Sequence, residues 1–142
     1  KLEEENIEVI FKENDPTYVF ADEFYIEQVI TNYFTNAIKN VEKVKKKKQI
    51  IITIRQSEEQ GKVRIIIFNT GKHISEENLE RIWNRFYKID ESRDRSKGGT
   101  GIGLSLVKAI MNRYGNKYGV QNVENGVEFY FELGYSRMSA QM

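Results

Sequence analysis

The sharpest chemical signal in the sequence is Gly98-Gly99-Thr100-Gly101-Ile102-Gly103-Leu104. Closely spaced glycines let backbone N–H groups approach a phosphate without a Cβ in the way. The helix expected to follow would add the favourable end of its dipole. A flexible linker or a tight turn would use the same glycines. Two familiar phosphate loops do not fit. A Walker loop needs Lys and then Ser or Thr after its last glycine, whereas Gly103 is followed by Leu104 and Ser105. A Rossmann fingerprint needs a strand directly before its glycines, and here the charged run DESRDRSK stands in that place.

A second group is Asn32, Asn36 and Lys39, spaced i, i+4 and i+7, which puts them on one stripe of a helix while Ile30, Phe34 and Ile38 serve another. Carboxamide oxygens suit Mg²⁺, and a lysine ammonium supplies a point charge for a polyphosphate. An ordinary exposed stripe is the competing explanation, although Asn is a poorer helix former than Glu, Lys or Gln. The third group is Phe68-Asn69-Thr70-Gly71. Asn69 can exchange hydrogen bonds with an aminopurine edge and Gly71 would let a ring approach the backbone; a plain strand-ending turn has the same composition.

Composition narrows the field. The 142-residue chain has no cysteine, so disulfides, thiolate metal sites and thiol nucleophiles are excluded, and its one histidine, His73, cannot build a multi-imidazole centre. With 22 Lys and Arg against 21 Asp and Glu, the net charge of +1 argues against a dedicated nucleic-acid binder. The basic run KVKKKK reads as a solvated connection, with a nucleic-acid or lipid contact as the alternative. No apolar run approaches the ~20 residues of a membrane span, and the start KLEEENI does not resemble a signal peptide.

These groups need elements to hold them. Alternation predicts a strand over Ile7–Phe11, a turn at Asn14-Asp15-Pro16 and a second strand over Thr17–Phe20. Ile26, Val29, Ile30, Tyr33, Phe34, Ala37, Ile38 and Val41 then recur at helical spacing behind an Asp22 N-cap. Ile50–Ile54 and Val63–Phe68 read as strands of a hairpin, and Ser75 opens a helix running to about Phe86. Asp90–Lys97 has no periodicity and is expected to be a mobile loop before a helix over Leu104–Tyr114. Tyr118–Val123 and Val127–Leu133 form a closing hairpin around Glu124-Asn125-Gly126. The order predicts an α/β two-layer sandwich, with helices on one face of a mixed, mainly antiparallel sheet. Residues 1–135 are expected to make one domain and 136–142 a disordered tail.

Taken together and in order, TNYFTNAIKN, FNTGKHI, RIWNRFYKID and GGTGIGLSLV resemble the N box, first glycine box, F box and second glycine box of the ATP-binding catalytic domain of two-component sensor histidine kinases, in the GHKL ATPase superfamily. The likeness spans about Asp22 to Leu133 and implies the Bergerat-type fold. It implies that Asn36, with Asn32 directly or through water, holds Mg²⁺ and that Lys39 meets phosphate, making Asn36 and Lys39 the catalytic pair. It further implies that Asn69 meets the adenine amino group beside Gly71, and that Gly99, Thr100, Gly101, Ile102, Gly103 and Leu104 surround the nucleotide. Phe86 would anchor a lid, with Arg85 and Arg93 as lid-borne phosphate contacts. The chain departs from the pattern at Asn69, usually Asp; at His73, usually Gly, with Lys72 before it; and at Asn40, often aromatic.

Hydrolytic relatives resemble one another in carrying a Glu one turn before the metal-binding Asn; here that position is Asn32, and Glu27 lies nine residues before Asn36. Water activation is therefore poor, and the resemblance implies transfer of the γ-phosphoryl group of ATP to a histidine on a separate, upstream dimerisation domain, with a response regulator downstream. His73 falls at the base end and is read as a turn or edge histidine. The implied setting is a cytoplasmic domain of a membrane-anchored homodimer, with no nucleic-acid partner. The alternatives are a nucleotide-deficient interaction module and an anti-sigma-type serine kinase.

Overall fold

The structure is a computed structural model that describes residues 6–13, 19–57, 61–85 and 103–135. Among the described residues six strands and three helices follow the order β1(Glu8–Glu13), β2(Val19–Phe20), α1(Glu23–Val41), β3(Gln49–Ser57), β4(Lys62–Thr70), α2(Asn78–Arg81), α3(Gly103–Tyr114), β5(Tyr118–Val123) and β6(Gly126–Tyr135). The strands form one sheet in the order β1-β3-β4-β6-β2, with β5 also paired to β6. Only the β1–β3 pairing is parallel; the others are antiparallel. The expected mixed, mainly antiparallel sheet with helices on one face is the architecture found.

Alternation along the central strands decides which face the helices cover. Ile65 and Ile67 of β4 and Val127, Phe129, Phe131 and Leu133 of β6 enter the core, and α1 lays Val29, Tyr33, Ala37 and Val41 on them at helical spacing. Each of the larger side chains contributes roughly 1.5–3 kcal/mol by leaving water. Ile30, expected on the apolar side of this helix, stays 39% exposed, outside the buried stripe of Val29, Tyr33, Ala37 and Val41. Asp22 caps α1 as expected, its carboxylate accepting from the Phe24 N–H at 2.9 Å. Its own N–H donates to the Tyr114 hydroxyl at 2.7 Å, which ties the start of α1 to the end of α3.

Tyr33 pins α1 to the sheet. It is fully buried, packs its ring against Phe129 and Phe131 with centroids 5.2 and 5.9 Å away, and donates its hydroxyl to the Tyr130 carbonyl at 3.1 Å. Burial pushes its phenol pKa well above the usual 10.0, and Tyr118 and Tyr130 add to the rise.

Two expectations are corrected. The helix opened by Ser75 does not run to Phe86: α2 ends at Arg81, and the chain turns with the Asn84 N–H donating to the Arg81 carbonyl at 2.9 Å. Ile82 sinks into the core and Trp83 lays its edge on Tyr118 at 5.0 Å, so tertiary packing overrides helical spacing. Gly126 is a strand residue rather than part of the hairpin turn. It pairs with Val123 and with Thr70, while Glu124 and Asn125 make the turn and Asn125 takes φ 70°. A Cβ on Gly126 would collide with the Asn69 backbone oxygen, so the glycine is needed for close approach.

On the opposite face no helix packs against the described strands. Tyr130 lies across Gly119 of β5, where a Cβ would meet its hydroxyl at 2.6 Å, and under the Arg64 guanidinium, 4.2 Å from the ring centre. Arg64 also pairs with Glu132 at 2.7 Å. Ile66, between these side chains in the register, is only 5% exposed.

Candidate nucleotide site

Helix α1 carries Asn32, Asn36, Lys39 and Asn40, all half-buried on the flank beside the core stripe. Two glycines approach this flank from different parts of the chain. Gly103, the first residue of α3, stands so close that a Cβ there would be 2.8 Å from Asn32 Oδ1. The Asn32 amide is turned to allow this, because its Nδ2 donates to the Gln28 carbonyl at 2.8 Å and leaves the oxygen facing α3. Further along, a Cβ on Gly71 would lie 3.8 Å from the Asn40 carbonyl and 3.2 Å from Asn69 Nδ2. Gly71 has φ 154°, at the border of the region that favours glycine. The two approaches are eight residues apart on α1, or about 12 Å along its axis at ~1.5 Å per residue.

Asn69 is the penultimate residue of β4 and is 1% exposed. Its Nδ2 donates to the Thr70 carbonyl at 2.9 Å, which fixes the amide orientation, and its Oδ1 is buried with no hydrogen-bond partner. An unpaired buried acceptor costs about 1–3 kcal/mol, so such atoms are rare without a role. Thr70 secures the strand end: its hydroxyl accepts from the Gln49 N–H at 3.0 Å and donates to the Lys47 carbonyl at 2.9 Å. The Lys43–Lys48 run is thus the connection from α1 to β3, with Lys45, Lys46 and Lys47 exposed.

Leu104 is half-buried against the core beside Gly103. Phe86, Gly99, Thr100, Gly101 and Ile102 lie outside the described residues, as do Arg93 and the Asp90–Lys97 segment. His73 is exposed, with Nε2 donating to the Val123 carbonyl at 2.7 Å, as befits a turn histidine. The sequence did not single out Asn122, whose amide exchanges two hydrogen bonds with the backbone of Ile74. Alternation along Tyr118-Gly-Val120-Gln-Asn122 places this amide on the register of Tyr118 and Val120, but nothing in residue type points to its backbone partner.

The donor set fits a magnesium-bound triphosphate nucleotide. Neutral carboxamide oxygens and a lysine share one helix flank, a glycine backbone borders it, and a buried acceptor waits at one end. Among the described residues no cluster of three or more His, Asp or Glu could hold a metal without such a ligand's help.

This arrangement is that of a nucleotide-binding ATPase fold, and residues 21–137 match the family of histidine kinase-, DNA gyrase B- and HSP90-like ATPases. The chain belongs to this family, as an ATP-binding catalytic domain of the sensor histidine kinase kind. It is 32% identical over 114 residues to the probable sensor kinase SilS of Salmonella typhimurium, covering 80% of this chain and 22% of SilS. It is 30% identical over 119 residues to sensor histidine kinase WalK of Bacillus subtilis, covering 83% of this chain and 19% of WalK. The chain therefore spans about a fifth of these curated relatives. The solved catalytic domain of histidine kinase ThkA superposes with a TM-score of 0.79 at 33% identity, covering 94% of this chain and 82% of that one.

Proposed function

We propose that this domain binds ATP–Mg²⁺ and donates the γ-phosphoryl group to a histidine on a separate dimerisation domain. The observation that carries the reading is the buried, unpaired Oδ1 of Asn69 at one end of a helix flank whose other end is bordered by Gly103. A buried acceptor left without a partner suits the exocyclic amino group of adenine. The 12 Å or so of helix between the two glycine approaches then carries ribose and phosphates. Asn36 and Asn32 would hold Mg²⁺, which neutralises phosphate charge. Lys39 meets a terminal phosphate oxygen, and the N–H groups around Gly99, Gly101 and Gly103 orient the chain of phosphates. Transfer breaks the bond between the γ-phosphorus and the bridging oxygen, leaves that oxygen on ADP, and forms a phosphorus–nitrogen bond on the acceptor imidazole.

Phosphoryl transfer to protein is favoured over hydrolysis by Asn32. Its amide, tied to Gln28, stands one turn before Asn36 and has no basicity with which to activate water. Residues 1–135 form the catalytic unit of a larger homodimeric kinase. Among the described residues no helix is long and apolar enough to cross a membrane. A structure of ThkA with the response regulator TrrA resembles this chain with a TM-score of 0.74 and 31% identity, covering 95% of this chain and 36% of that one. It supports a response regulator as the downstream partner here.

The test is phosphoryl transfer from labelled ATP to a separately supplied dimerisation domain. The isolated chain should bind ATP–Mg²⁺ and gain no acid-labile label on its own. Asn36→Ala should lower transfer by about 10²-fold or more while leaving the circular dichroism spectrum unchanged. Label on the isolated chain, or full activity in the variant, refutes the assignment.

A further inference from the structure

The loop that follows Asn69 leaves β4 at Gly71 and runs past the β5–β6 hairpin without pairing into the sheet. Four hydrogen bonds hold it there. The Gly71 N–H donates to the Asn125 carbonyl at 3.1 Å, and His73 Nε2 donates to the Val123 carbonyl at 2.7 Å. The Ile74 N–H donates to Asn122 Oδ1 at 2.9 Å, and Asn122 Nδ2 donates back to the Ile74 carbonyl at 2.8 Å. The last pair is the pattern two strands make, with a side-chain amide standing in for a peptide unit. Both the N–H and the C=O of a single residue are satisfied by one side chain, so the loop's position is set by β5.

We infer that Asn122 is a positioning residue for the base end of the nucleotide site, with His73 as its auxiliary. The inference rests on the proposal that the base binds at Asn69. The geometry links the two. Gly71 sits three residues before Ile74 and next to Asn69 Nδ2, and the same glycine faces the Asn40 carbonyl of α1. Fastening Ile74 and His73 to the hairpin therefore fixes how far Gly71 stands from α1, and with it the room a base would have beside Asn69. The hairpin is itself registered on this site, since Gly126 presses on the Asn69 backbone. Neither Asn122 nor His73 touches the helix flank assigned to phosphate. Their influence should fall on the base and spare the phosphates.

The experiment measures two affinities by calorimetry, for ADP–Mg²⁺ and for inorganic tripolyphosphate–Mg²⁺, in wild type, Asn122→Ala and His73→Ala. Asn122→Ala should weaken ADP about tenfold, as expected for two lost hydrogen bonds that order a loop, and leave tripolyphosphate unchanged. His73→Ala, at an exposed position where folding is not at stake, should weaken ADP about threefold with tripolyphosphate again unchanged. Equal losses for both ligands would mean general loosening of the domain and would overturn the inference, as would unchanged affinities in both variants. Failure of wild type to bind ADP would refute the nucleotide site itself and this inference with it. Wild-type binding with unaltered variants would refute the positioning role alone.

Discussion

At the scale of single residues, Asn69 decides the most. Its carboxamide has two ends with different obligations, one spent on Thr70 and one held unpaired in the interior. Removing the amide should separate binding from stability. In Asn69→Leu the lost bond to Thr70 and the relief of an orphaned oxygen are of similar size, so unfolding free energy should stay within about 1 kcal/mol of wild type. Affinity for ADP should fall about tenfold or more, measured by titration calorimetry beside a denaturant melt. Equal affinity would take the base away from Asn69. Amide and glycine at a strand end also make a plain turn, so Asn69 and Gly71 stood out mainly through the resemblance of FNTGKHI to a first glycine box. The sequence could not show which way the amide points, since the backbone carbonyl of Thr70 sets that. Asn122 was illegible for a related reason: its partner is the backbone of Ile74, and backbone atoms leave no trace in residue identity.

At the scale of elements, periodicity and capping carried most of the information. The start of α1 was legible to the residue because Asp22 caps it, and α3 began one residue earlier than its apolar spacing implied. The second helix was misread because Trp83 answers to Tyr118, Tyr33 and Phe129 instead of to its own helix. Ile30 shows the limit of spacing alone: the side chain has the right period and faces water. The joint between α1 and the sheet has a pH signature. Tyr33 keeps its proton in the folded state after an unfolded chain would have lost it, because burial and then the neighbouring Tyr118 and Tyr130 raise its pKa. Its full contribution is present below the ordinary phenol pKa and is lost as pH climbs from about 10 towards the raised value. Wild type should exceed Tyr33→Phe by about 1 kcal/mol at neutral pH, the worth of the bond to the Tyr130 carbonyl. That advantage should shrink steadily above about pH 10 in denaturant melts; a constant difference would contradict the assignment.

At the scale of the whole molecule, the helices and the candidate site share one face of the sheet, and the order of elements made that layering legible before any coordinates. What it concealed was how the other face is arranged, where no described helix lies. There Arg64 caps Tyr130, Tyr130 fills the space above Gly119, Glu132 neutralises Arg64, and Ile66 is shielded among them. The long amphipathic side chains act as a roof thrown over apolar strands. This has a colloidal consequence distinct from folding. Arg64→Ala should shift the melting temperature by only a few degrees, since one partly exposed ion pair and one ring contact are lost. The same change uncovers Tyr130 and Ile66 together, so concentrated samples should scatter light and self-associate where wild type stays monodisperse. On this reading the residue that keeps the surface from becoming adhesive is a single arginine, on the side of the sheet away from α1 and the candidate site.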